Sequence, residues 1–333
     1  MDYKKIFARN PEFFLKFCKT RSTRYKQCME TTKLIWKNGE LIPWEQAQTH
    51  VLTHSLHYGG AVFEGIRCYQ TNSEAFGPRP AIFRLRDHME RFLYSMRALK
   101  MECKWDLDEL CEAVVKTVRE NGLTQGYIRP LAYSGYGKMG LNPTGAPVEI
   151  IIACWPWDKY LAADALKMRT SSFMRIHPKT TDIAAKLSGH YVNSIMASQE
   201  FHGECDEVLF LDYNGAVAEG PGENIFMVKD GVLLTPGDDT ILKGFTRGTV
   251  MTLARDLGYD VYETTIMPED LLAADEVFLT GTAAEISPVA ELDKHAIGAS
   301  SGTAGPITQA IKDGYMDIVT GRSEKYDRYL TFV

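Results

Sequence analysis

The chain has no C-x-x-C pair, no internal repeat, no low-complexity tract and no apolar run near the roughly 18 residues that a membrane-spanning helix needs. Its seven cysteines, at 18, 28, 68, 103, 111, 154 and 205, are odd in number and scattered, which argues against both a disulfide framework and a structural zinc site. The expectation is a protein of the reducing cytoplasm with no metal centre and no membrane partner. Basic charge is scarce outside the first 28 residues. That segment holds eight Lys/Arg against two Asp/Glu, leaving 29 against 41 in the remainder, so an acidic body underlies the net charge of −6. An acidic body disfavours nucleic acid, whose phosphates need a basic surface. The basic segment, with Phe13, Phe14 and Phe17 among its cations, has no apolar core for secretion and reads as an extension ahead of a fold starting near Met29.

What is present is ordinary for a globular chain. At 333 residues, 45% hydrophobic and 24% charged, two domains are expected. The boundaries read as an extension over 1–28, a small domain over 29–156, a linker over 157–167 and a large domain over 168–333.

Strand and turn signals open the folded part: Leu34-Ile35-Trp36, a hairpin turn at Asn38-Gly39, then Leu41-Ile42-Pro43. His54 to Arg67 is rich in glycine and aromatics, the composition of tight turns and an apolar pocket wall. Asp87 with Glu90, and Asp106 with Glu109, read as capping boxes that open two helices, the second ending at Gly122. Arg91 falls in the first turn of the former, where a guanidinium could clamp a phosphate. Gly126 begins a strand-like region. Gly135, Gly137 and Gly140 match the spacing of a dinucleotide loop, but Asn142, Pro143, Gly145 and Pro147 follow where that loop needs a helix, which argues against a nicotinamide site.

Ala184-Ala185-Lys186-Leu187-Ser188-Gly189-His190-Tyr191 sets one lysine among small residues just ahead of a helix expected to start near Ser188, with Tyr191 about one turn inside. An amine that attacks an aldehyde needs such open space on one side. Past Gly203, turns at Asn214-Gly215, Gly220-Pro221-Gly222 and Asp230-Gly231 divide an expected antiparallel meander. Glu219 stands beside glycines at a strand end, a place suited to an acid that faces a ligand. Thr246 opens an apolar-periodic helix, and Glu276–Leu279 runs into Thr280-Gly281-Thr282-Ala283-Ala284-Glu285, so that two sets of hydroxyls and amides could converge on a single anion. Pro306–Thr320 reads as a final amphipathic helix.

These segments together resemble the fold-type IV pyridoxal-phosphate enzymes, and among them the branched-chain amino acid aminotransferases, over roughly residues 33–333. The resemblance rests on His57-Tyr58-Gly59 through Phe63-Glu64-Gly65-Ile66-Arg67, Tyr127-Ile128-Arg129-Pro130, Ala185-Lys186 with Tyr191, Glu219 through Asn224, and Gly281 through Glu285. It implies an α+β architecture with a smaller N-terminal domain and a larger C-terminal domain carrying an antiparallel barrel-like sheet. It implies pyridoxal 5′-phosphate as cofactor, with transamination of leucine, isoleucine or valine against 2-oxoglutarate. Lys186 would bind the cofactor covalently and shuttle the proton. Glu219 would face the pyridine nitrogen, Tyr191 the phenolic oxygen, and Leu242 the ring. Arg91, Thr246, Thr282 and the backbone at Phe245 would take the phosphate. Phe63, Tyr127 and Trp157 would wall the side-chain pocket, Arg129 would meet a distal carboxylate, and Thr282 and Ala283 would hold the α-carboxylate. Tyr58 would come from a neighbouring subunit, in a homodimer or a hexamer built from dimers. His190 stands where the family more commonly has Asn, which implies an effect on tuning. A lyase acting on aminodeoxychorismate and a D-amino acid aminotransferase are alternatives on the same scaffold, and a cofactor-free binding protein is a third.

Overall fold

The computed structural model describes residues 30–72, 77–157, 161, 163–298 and 302–333. The basic segment 1–28 and most of the expected linker's first half (158–160 and 162) lie outside the described residues. Residues 32–333 form one compact unit.

The first half of the chain supplies β1 (Leu34–Lys37), β2 (Glu40–Pro43), β3 (Ala61–Phe63), β4 (Ile66–Gln70), β5 (Pro80–Phe83), β6 (Gly126–Ser134) and β7 (Val148–Trp155). The second half supplies β8 (Leu166–Thr170), β9 (Glu207–Leu209), β10 (Asn224–Lys229), β11 (Val232–Thr235), β12 (Val261–Glu263), β13 (Glu276–Gly281), β14 (Glu285–Leu292), β15 (His295–Ala296) and β16 (Leu330–Phe332). Two sheets result. One runs β16-β5-β4-β6-β7-β1-β2, with β3 beside β6; the other runs β12-β11-β10-β13-β14-β8-β9, with β15 beside β14. The last strand of the chain thus returns to the sheet of the first half, pairing Leu330 with Phe83. In the second sheet the antiparallel expectation holds for β11, β10, β13 and β14, whereas β12, β8 and β9 join in parallel. Between the turns at Asn214-Gly215 and Gly220-Pro221-Gly222 the expected meander gives way to a loop, tied back by a bridge between Leu211 and Val217 and by backbone hydrogen bonds from Phe210 to Glu219 and from Ala218 to Phe210.

The helices are α1 (His54–Tyr58), α2 (Leu85–Ala98), α3 (Leu107–Glu120), α4 (Tyr191–Glu200), α5 (Phe245–Asp256), α6 (Pro268–Leu272) and α7 (Pro306–Val319). Among the described residues no helix is long and apolar enough to cross a membrane. In α2, Leu85, His88, Met89, Phe92, Ser95 and Met96 are buried, a helical stripe packed on the first sheet through Ile66, Ile82 and Ile128. The expected cap at Asp87 is corrected: the cap is Arg84 and α2 begins at Leu85, three residues before the His88 start that a cap at Asp87 implies, because Arg84 takes a left-handed turn (φ 52) and draws the Asp87 carboxylate to its own Nε at 2.6 Å. Asp106 and Glu109 do form the reciprocal capping box of α3. Both faces of the second sheet are buried. Ile225 and Met227 of β10 enter one core while Phe226 and Val228 enter another, so its apolar residues run without the polar alternation of a one-sided strand.

One irregularity positions the site. Pro130 lies in the middle of β6 and has no N–H to give the neighbouring strand. On that side the ladder pairs Phe63 with Leu131, breaks, and resumes with Ile66 opposite Ile128. Glu64 and Gly65 fill the gap, held by Glu64 N–H donating to the Pro130 carbonyl at 2.9 Å. A Cβ on Gly65 would overlap the Tyr127 hydroxyl, so only glycine lets Tyr127 lie there.

Candidate active site

Lys186 precedes a 3-10 turn (Ser188–His190) that leads directly into α4, close to the start expected. Its backbone is fixed from two sides: Lys186 N–H donates to Ser95 Oγ of α2 at 2.8 Å, and its carbonyl accepts from Phe63 N–H of β3 at 3.2 Å. The side chain is thereby aimed into a cavity also lined by Arg91, Arg175, Tyr191, Glu219, Gly222, Glu223, Leu242, Phe245, Thr246, Thr280, Gly281 and Thr282. Lys186 Nζ donates to Tyr191 Oη at 2.6 Å and lies 5.1 Å from the Phe63 ring.

Glu219 forms one wall. It is 4% exposed, and every contact it makes is with a donor: Arg175 Nε at 2.5 Å, Asn224 Nδ2 at 3.0 Å and Leu242 N–H at 3.2 Å. Burial raises its carboxyl above the ordinary value, while Arg175, the Leu242 amide and Lys186 pull the other way. The donors give this acid the surroundings of a carboxylate anion. Glu223, deeper in the same wall, has no cation bonded to it, and burial with the nearby Glu207 pushes its carboxyl up to about 8.

The opposite end is an anion cradle. Gly244 caps α5, and the first-turn amides of Phe245, Thr246 and Arg247 have no intrahelical acceptor. Thr246 is 2% exposed, and Thr280, which also lines the cavity, has its Oγ1 buried with no hydrogen-bond partner. Arg91 enters from α2. Its Nε and Nη2 donate to Glu64 at 2.6 and 2.9 Å, its Nη1 donates to the Lys243 carbonyl at 2.8 Å, and its guanidinium lies 4.3 Å from the Phe245 ring centre.

On the other side of Lys186 stands an aromatic box. Phe63 and Tyr191 rings are 4.8 Å apart, and Tyr127 lies 4.6 Å from Trp157. Arg129 lies over Phe63 at 4.7 Å and Tyr127 at 5.3 Å, with no ion pair among the described residues and its Nε buried without a partner. Ala283 sits in the 282–284 hairpin loop between β13 and β14, its carbonyl accepting from Arg67 Nη1 at 3.4 Å, while Arg67 Nη2 donates to the Trp157 carbonyl at 3.1 Å.

The structure brings eight of the expected site residues, Arg91, Lys186, Tyr191, Glu219, Leu242, Phe245, Thr246 and Thr282, onto one cavity, sets Phe63, Arg129, Tyr127 and Trp157 in the neighbouring aromatic cluster, and joins Ala283 to Trp157 through Arg67. Tyr58, at the end of α1, is 42% exposed and packs on His54 and His57 instead of lining the cavity. Sequence reasoning gave no role to Arg175, Asn224, Glu64 or His88. Glu64 and Asn224 lie inside the motifs quoted, so a buried position was legible for them; Arg175 belongs to no motif and meets Glu219 across 44 residues of chain. His190 is 8% exposed, bonded through Nε2 to Thr181 Oγ1 at 2.6 Å, and burial together with Arg175 pushes its imidazole down to about 4.

The amino-transferase class IV family model matches residues 61–292. A branched-chain-amino-acid aminotransferase of Pseudomonas aeruginosa is 45% identical over 305 residues, covering 90% of this chain and 97% of its own. That of Escherichia coli K12 is 43% identical over 298 residues, covering 87% and 94%. The crystal structure of a branched-chain aminotransferase from the thermophilic archaeon Thermoproteus uzoniensis with norvaline is similar at a TM-score of 0.84, with 43% identity and coverage of 90% and 99%. With an amine, a buried acid and an anion cradle meeting in one cavity, and likeness of this extent, the chain belongs to the class IV amino-transferases.

Proposed function

We propose that the protein is a branched-chain amino acid aminotransferase that uses pyridoxal 5′-phosphate to move the amino group of leucine, isoleucine or valine to 2-oxoglutarate. The observation that carries the reading is the pairing, beside one amine, of an aromatic box with a cation that has no carboxylate partner. Transamination of this kind puts a greasy side chain and an acidic one into the same pocket in turn. Phe63, Tyr127 and Trp157 accept the first; Arg129, stacked on two ring faces and not ion-paired, meets the second without being stranded when it leaves.

The residues fit the cofactor: a phosphate needs amides and a guanidinium, and the α5 terminus, Thr246, Thr282, the unpartnered Thr280 hydroxyl and Arg91 supply them. When bound, pyridoxal phosphate supplies an aldehyde for an amine to condense with and a ring that accepts the electron pair released at the substrate Cα. Lys186 provides the condensing amine and, once displaced, carries the proton at Nζ. Tyr191 Oη orients that nitrogen and would donate its O–H to the ring's phenolic oxygen. Glu219, whose oxygens accept from Arg175 and Asn224, would face the ring nitrogen and favour a proton there. Leu242 would pack on the ring, and the Thr282 and Ala283 amides would hold the α-carboxylate.

Tyr58 is proposed to serve the cavity of a second copy, which its exposure on α1 supports; the working unit is then at least a dimer. The five described cysteines are all free, in keeping with a reducing cytoplasm. The two sheets support a small domain over 29–156 and a large domain over 168–333 joined at 157–167, packed as one compact unit to which β16 returns. Steady-state rates with a panel of L- and D-amino acids against 2-oxoglutarate test the function. Turnover confined to leucine, isoleucine, valine and glutamate is expected; pyruvate release from aminodeoxychorismate, or preference for D-alanine, contradicts it.

A further inference from the structure

Glu64 is the most completely enclosed carboxylate near the cavity, at 0% exposure, and the chemistry above gives it no part. Its two oxygens accept Arg91 Nε at 2.6 Å, Arg91 Nη2 at 2.9 Å and His88 Nδ1 at 2.7 Å. Burial opposes its ionisation, but Arg91 and His88 outweigh that and hold the carboxyl well below the usual carboxylate range. His88, itself 1% exposed, is kept below its ordinary value by burial, so the neutral ring donates Nδ1–H to Glu64.

An arginine carries five N–H donors in a rigid plane. Two of those of Arg91 go to Glu64 and one to the Lys243 carbonyl, which leaves one on Nη1 and one on Nη2. Arg91 lines the cavity together with Thr246, so these two donors are the ones left for a ligand there. His88 and Arg91 also bracket Phe245, the first residue of α5, at 4.5 and 4.3 Å. A single carboxylate thus sets the plane of the guanidinium and, through both of its partners, the residue that opens the anion-binding helix.

We propose that Glu64, backed by His88, is a positioning residue for phosphate capture: it touches no ligand, and it presents two fixed N–H donors of Arg91 to the cofactor's phosphate. The inference rests on the reading of Arg91 as a phosphate ligand given above. It follows that Glu64→Gln, which turns one acceptor into a donor facing a guanidinium nitrogen or the imidazole, disturbs the phosphate end and leaves the ring end alone.

The test titrates pyridoxal phosphate and pyridoxal, which lacks the phosphate, into the full-length chain freed of cofactor, with melting temperature recorded for each variant. Glu64→Gln is expected to raise the Kd for pyridoxal phosphate by at least about ten-fold, the scale on which residues that orient a ligating side chain act, with the Kd for pyridoxal nearly unchanged. Arg91→Gln should do the same, and the double variant should lose no more than Arg91→Gln alone. Equal weakening of both ligands by Glu64→Gln means a general structural role and overturns the proposal. If Arg91→Gln leaves the ratio of the two affinities untouched, the phosphate reading of Arg91 falls instead. Should Glu64→Gln fail to fold, a crystal structure of the native holoenzyme decides: Arg91 Nε and Nη2 still on Glu64 supports the proposal, and their transfer to the phosphate overturns it.

Discussion

Arg129 and Glu223 show at the level of single residues how burial turns chemistry into expectation. Arg129 reaches its aromatic box without a carboxylate among the described residues, its Nη2 donating only a long bond of 3.4 Å to the Tyr127 hydroxyl, so an incoming distal carboxylate gains a charged hydrogen bond that no internal carboxylate contests. Bonds to charged groups contribute about 1.5–3 kcal/mol. Arg129→Gln should therefore lower kcat/KM for 2-oxoglutarate and glutamate by roughly 10- to 100-fold and change that for leucine by no more than a few-fold; equal losses in half-reaction kinetics contradict the assignment. Glu223 gives a pH dependence of definite sign. Its carboxyl titrates near 4.5 when unfolded and at about 8 when buried, so between those values the folded chain holds the extra proton. Its contribution is fully present below about 4.5 and is lost as pH rises toward 8. Glu207, raised by burial beside it, titrates with Glu223 as one pair and shifts in the same direction. Urea midpoints at pH 6 and pH 8 should fall less steeply for Glu223→Gln than for the native chain, and an identical fall contradicts it.

At the scale of elements, local chemistry and local structure agree where the signal is a cap, a turn or a period, and diverge where it is a partner. The capping box of α3 was legible because Asp106 and Glu109 act on their own first turn. Asp106→Ala should cost about 0.5–2 kcal/mol, read as a lowered urea midpoint with unchanged denaturant slope. The similar-looking pair at Asp87 and Glu90 failed as a cap because Arg84, three residues away, competes for the carboxylate and the preceding backbone turns left-handed. The hairpins at Asn38-Gly39 and Asp230-Gly231 were legible from turn residues that accept positive φ. Pro130 was legible only as a strand residue; that its missing N–H opens the neighbouring ladder for Glu64 and Gly65 depends on strands that meet through tertiary pairing.

For the whole molecule, the motifs around Lys186, Glu219 and Gly281 were enough to bring the cavity's chemistry into view, because each carries its own turn and its own reactive group. The pairing of β8 with β9 and β14, and the return of β16 to β5, were not, since joining distant segments leaves no periodicity in either. That closing strand ties the chain's end to the first sheet: Arg84 N–H donates to Tyr329, Val333 N–H to Pro80, and Arg79 lies over the Phe332 ring. Removing residues 330–333 should lower the melting temperature by several degrees, about what the loss of 1–2 kcal/mol does in a chain of this size; an unchanged melting temperature contradicts a role for β16 in closing the sheet. The chemistry of the whole molecule nonetheless converges on one amine. Native protein reduced with borohydride after loading with pyridoxal phosphate, then digested and weighed peptide by peptide, should carry the phosphopyridoxyl group on the fragment containing Lys186 and on no other; a label on a different lysine, or none, contradicts the account.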